Sequence, residues 1–127
     1  MAEEFPDNIR RFITENFTSV EQLEALLLLR ADPERTWDAA ELSQALYTQP
    51  EAAAMRLADL RGRGFLTAEG APARYRYRPA NSELARQVDL LADVYRERRV
   101  TVITLIYSRP ADPAQAFADA FRLRKEK

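Results

Sequence analysis

The 127-residue sequence predicts a mainly α-helical domain carrying one small β-hairpin. Three observations predict it. Apolar residues recur at helical spacing through most of the chain, pairs of the capping-box type stand before two of those segments, and only Arg74–Arg78 alternates strictly between charged and apolar residues.

In chain order, Ile9, Phe12, Ile13 and Phe17 share one face of a helix over residues 6–17, with Pro6 in its first turn. Thr18 with Glu21, or Ser19 with Gln22, caps a second helix that carries Val20, Leu23, Leu26 and Leu27 to about Ala31. Asp32-Pro33-Glu34 stops it, and Thr36-Trp37 leaves room only for a stub of strand. Asp38 with Glu41 opens a helix over Ala39–Leu46 that turns Leu42, Ala45 and Leu46 toward the core. After the tight connection Tyr47-Thr48-Gln49, Pro50 begins a helix reaching Arg63, with Ala53, Leu57 and Leu60 inward. Gly62 and Gly64 end it, because glycine accepts the left-handed conformation common at that position.

Phe65-Leu66-Thr67 and Arg74–Arg78 form the hairpin, with the tyrosines of the second strand on one face and its arginines on the other. A long helix then runs from Asn81 or Ser82 through Leu84, Val88, Leu91 and Tyr95 to Ile106. Its last part, Val100–Ile106, is β-branched and apolar on nearly all sides, and reads either as a helix buried all round or as a strand, the helix being favoured. Pro110 and Pro113 precede a final amphipathic turn or two with Phe117, Phe121 and Leu123.

The chain suits one domain, with a core over residues 19–79 and a C-terminal helical extension over 80–127. Its longest unbroken apolar stretch, Ala25–Leu29, is far too short to span a membrane, and its acidic start is unlike a secretory signal, so a cytoplasmic protein is expected. Cysteine and histidine are both absent, which removes thiolate nucleophiles, the commonest general base and the usual zinc ligands. Three glycines, wrongly spaced, make no phosphate-cradling loop. A non-enzyme without catalytic residues, metal or cofactor is the expectation. Charge is unevenly distributed. Residues 1–46 hold four arginines against ten carboxylates, a net −6, whereas 56–78 hold six arginines against two carboxylates, a net +4. A basic stretch inside an acidic chain is what a surface aimed at a polyanion looks like.

The order helix, strand stub, helix, tight turn, helix, hairpin is that of a winged helix-turn-helix, here with additional N- and C-terminal helices. The stretch Trp37–Arg78 resembles the bacterial winged helix-turn-helix regulators of the MarR-like and ArsR-like families. Glu41-Leu42, Leu46, Leu57, Leu60 and Gly64-Phe65-Leu66 carry the likeness. It implies a transcriptional regulator whose third helix enters the major groove of double-stranded DNA while the wing follows the phosphates. Carried over, the groove-facing positions are Gln49, Glu51, Ala52, Met55 and Arg56, with Gln49 and Arg56 as base readers, and Arg63, Arg74, Arg76 and Arg78 as phosphate contacts. The lack of Cys and His disfavours the metal-sensing variety.

Residues 84–106 exceed what the three-helix core needs and are similar to the dimerisation helices of those families, so a homodimer is expected. The rival function is a winged-helix module that binds protein through its acidic first third and never touches nucleic acid.

Overall fold

A computed structural model describes residues Asp7–Ser108. Helix α1 (Asp7–Asn16) buries Ile9, Phe12 and Ile13, with Phe17 buried just beyond its end. Pro6, expected in its first turn, lies outside the described residues, as do Phe117 and Phe121. Helix α2 (Val20–Ala31) begins at Ser19, whose hydroxyl accepts from the Gln22 amide at 3.1 Å. Of the two expected caps it is Ser19 that forms, but the box is not closed, because Gln22 Oε1 accepts from the Thr18 amide at 3.0 Å and not from that of Ser19.

Helix α3 (Ala39–Leu46) opens with the expected capping box. Asp38 Oδ1 accepts from the Glu41 amide at 2.8 Å and Glu41 Oε1 from the Asp38 amide at 3.1 Å, which satisfies two otherwise orphaned donors. Its inward face differs by one position from the expected one: Ser43 is buried beside Leu42, while Ala45 is exposed. Burying the hydroxyl is tolerated because it donates to the Ala40 carbonyl at 2.8 Å.

Tyr47 closes α3 in the left-handed conformation, at φ 56° and ψ 47°. Helix α4 (Pro50–Gly62) follows with Pro50 at its first position and packs Ala53, Leu57 and Leu60 inward. Of the two glycines expected to end it, Gly64 takes the positive φ of 92°, whereas Gly62 stays helical. The hairpin pairs β1 (Leu66–Glu69) with β2 (Arg74–Tyr77), antiparallel, Leu66 opposite Tyr77 and Glu69 opposite Arg74. The strand stub is one residue long. Trp37 and Tyr75 exchange two backbone hydrogen bonds of 2.8 Å, fixing the second strand of the wing to the segment before α3.

The long C-terminal helix is two helices, α5 (Ser82–Glu97) and α6 (Arg99–Ser108), joined at Arg98 with φ −133° and ψ 51°. Val88, Leu91 and Tyr95 form the buried stripe of α5, and Val102 and Ile106 are buried in α6. An unbroken helix would carry that stripe through position 98 or 99, and both are arginines. A guanidinium is costly to bury in an apolar stripe, and the helix breaks at this step. Val100–Ile106 is helical throughout, the favoured of its two readings, but it is not buried all round: Val100 is 76% exposed and Thr104 is exposed as well. Helix α6 packs back on α1 and α5. Phe12, Phe17 and Phe65 cluster with centroids 5.9–6.1 Å apart and join α1 to the residue before β1. The whole is a winged helix with α1 added before it and α5–α6 after it.

Candidate nucleic-acid interface

Helix α4 buries one face, and the opposite face holds Glu51, Ala54, Met55, Ala58 and Gly62, all exposed. Met55 is 67% exposed, so its thioether stands outside the core. Gln49, just before the helix, is exposed and makes no capping bond, so its amide is left for other partners, while Ala52 is half-buried. Tyr47 stands 96% exposed in the turn between α3 and α4. It was not among the expected interface residues. Pro50 and the helix starts mark the turn in the sequence, but only the backbone geometry at Tyr47 turns its ring out.

The six arginines of the basic stretch divide into two sets. Arg56 Nε donates to Glu21 Oε1 on α2 at 2.8 Å, with both side chains about three-quarters buried, and this guanidinium holds the Glu21 carboxyl below its ordinary value. Arg63 Nε donates to Asp59 Oδ2 at 2.9 Å and Arg63 Nη1 to the Glu15 carbonyl at 3.2 Å. The same Asp59 oxygen accepts from the Gln22 side-chain amide. Arg74 is held by four bonds: Nε to Thr36 Oγ1 at 2.9 Å, Nη2 to the Thr36 carbonyl at 2.9 Å, Nη2 to Glu41 Oε1 at 2.8 Å and Nη1 to Asp38 Oδ2 at 3.3 Å. These three arginines therefore join elements of the fold to one another.

Arg61, Arg76 and Arg78 form the second set, and none of them has an ion pair among the described residues. Arg61 and Arg78 are exposed; Arg76 is half-buried, and its Nε has no hydrogen-bond partner among the described residues. Arg76 and Arg78 lie on the same alternating face of the wing. Arg61 escaped the sequence reading, although its place in the last turn of α4 inside the basic stretch was a usable signal.

The apolar face of the wing is the anchoring one. Burial pushes the Tyr77 phenol up to about 12, with the Asp89 carboxylate adding to the effect and Arg30 opposing it. Asp89 and Arg30 pair at 3.0 Å between α5 and α2. Arg35 lies 3.5 Å over the Trp37 ring, a cation–π contact at the stub. Burial likewise raises the Tyr95 phenol, which donates to Glu24 at 2.7 Å and so ties α5 to α2. Among the described residues no helix is long and apolar enough to cross a membrane.

No family model matches the sequence, and no curated protein matches it. Among solved structures, the chain is similar to MepR, a transcription regulator of the Staphylococcus aureus multidrug efflux pump MepA. The two share 14% identity over 93% of this chain and 87% of that one, at a TM-score of 0.51. It is also similar to a MarR family protein from Bacillus stearothermophilus, at 19% identity over 92% and 81% of the two chains and a TM-score of 0.48. At such identity the likeness to MepR is one of fold, and it agrees with the winged helix-turn-helix architecture.

Proposed function

We propose that this chain is a DNA-binding transcriptional regulator, without catalytic activity, that inserts α4 into the major groove of duplex DNA and lays its wing along the phosphates. The observation that carries the reading is the outer face of α4, exposed along its length within a fold shared with a transcription regulator. Phosphate contacts fall to Arg61, Arg76 and Arg78, whose charges no carboxylate among the described residues neutralises. Arginine suits this role, since its planar fork donates two parallel charge-assisted bonds. Arg56, Arg63 and Arg74 contribute by fixing α4 and the wing at their angles to the body; to reach phosphate each would have to leave a carboxylate. The free amide of Gln49 is the hydrogen-bonding base reader that remains, suited to the adenine edge, and Glu51 is suited to an amino donor.

A homodimer fits the reading. Val100 and Tyr107 on α6 and Leu90 on α5 are exposed apolar side chains on the extension beyond the wing, and two copies related by a two-fold axis would cover them and present two reading helices. The address expected of such a regulator is the cytoplasm.

Titration of the full chain against random-sequence duplex at low and moderate salt tests the function. Association that weakens steeply with salt is expected. No association at low salt would favour the protein-binding module instead, a reading supported by the internal pairing of Arg56, Arg63 and Arg74.

A further inference from the structure

We infer that α4 recognises thymine through its 5-methyl group, with Met55 as the contacting side chain; this rests on the DNA reading above. Four side chains of α4 can form strong hydrogen bonds, and two of them are engaged elsewhere, Arg56 with Glu21 and Asp59 with Arg63 and Gln22. The remaining two, Glu51 and Arg61, sit in the first and last turns. At the middle of the outer face stands Met55, flanked by Ala54 and Ala58, and no polar side chain there can read a donor or acceptor pattern.

The one apolar group that projects into the major groove is the C5 methyl of thymine; most other groups there are donors or acceptors that an apolar side chain would leave unpaired. Met55 is suited to it in two ways. Its 67% exposure means the thioether is not part of the core, and its three rotatable bonds let the sulfur and methyl settle on a small apolar target. A Cβ added at Gly62 meets nothing within 4 Å, so no side chain of the body intrudes at the far end of this face.

The test uses duplexes enriched by the full chain from a random pool, then resynthesised with every thymine replaced by deoxyuridine, which pairs identically and lacks only the methyl. The expected result is a loss of about four-fold in affinity per contacted methyl for the natural chain. Met55→Ala, at an exposed position, should keep its thermal stability and bind the two duplexes equally. Equal binding of both duplexes by the natural chain overturns the inference while leaving DNA binding intact. Failure to bind any duplex overturns the DNA reading, and the inference with it.

Discussion

Glu41 Oε1 accepts from both the Asp38 amide at 3.1 Å and Arg74 Nη2 at 2.8 Å, so one carboxylate closes the first turn of α3 and holds the wing against it. Arg74, one of the wing arginines that the sequence assigns to phosphate, is thereby a fastening of the fold. Arg74→Ala should lower stability by about 1–2 kcal/mol, the worth of a few partly exposed hydrogen bonds and ion pairs. Chemical denaturation of the variant checks this.

The double replacement of Arg76 and Arg78 by alanine should behave in the opposite way. Stability should change little, and the slope of log affinity against log salt should flatten by about one unit for each phosphate no longer neutralised. A slope equal to that of the natural chain would remove the wing from DNA contact.

The pairing of Glu21 with Arg56 gives stability a pH dependence. With its folded value below the ordinary 4.5, Glu21 stabilises the fold above that pH and loses the contribution as pH falls through the lowered value. Glu21→Gln should therefore be less stable than the natural chain at neutral pH and converge with it in acid. Paired denaturation curves between neutral pH and about pH 3 measure the difference.

At the alkaline end the relevant group is Tyr77. Its phenol, raised from 10.0 to about 12, favours the folded state below 10, and that advantage is lost as the pH climbs toward 12. Because the Tyr77 hydroxyl is buried without a hydrogen-bond partner among the described residues, Tyr77→Phe should hold or raise stability by up to about 1 kcal/mol and soften the alkaline unfolding. Ultraviolet titration of the folded protein should show one tyrosine fewer in the last-ionising class.

Gly62 is helical with open space around a built Cβ. Gly62→Ala should raise stability by about 0.5–1 kcal/mol, the ordinary cost of glycine inside a helix. Thermal unfolding reads it directly.

The elements were legible because their determinants are local. Ser19, Asp38 and Pro50 mark helix starts that the structure reproduces, and the alternation over Arg74–Arg78 places Tyr75 and Tyr77 on the face that meets Leu66 and Ala68. The break at Arg98 was in principle visible too, since a buried stripe cannot run through two adjacent arginines. What a linear reading lacks is the partner supplied from a distance. Arg56 meets Glu21 thirty-five positions away and Arg74 meets Glu41 thirty-three away. Charge counted along the chain cannot separate arginines that face outward from those already neutralised. Tyr47 shows the same limit in conformation, because no local preference of tyrosine announces a left-handed residue.

The shared oxygen of Glu41 also limits how this chain can diverge. Asp38, Glu41 and Arg74 answer to one another across the gap between α3 and β2, so losing Arg74 strips two carboxylates of their cation, and losing either acid opens the helix start and removes a wing contact together. Descendants of this sequence should keep all three or exchange them as a set, and the trio would then serve as a marker by which kinship outlasts overall identity.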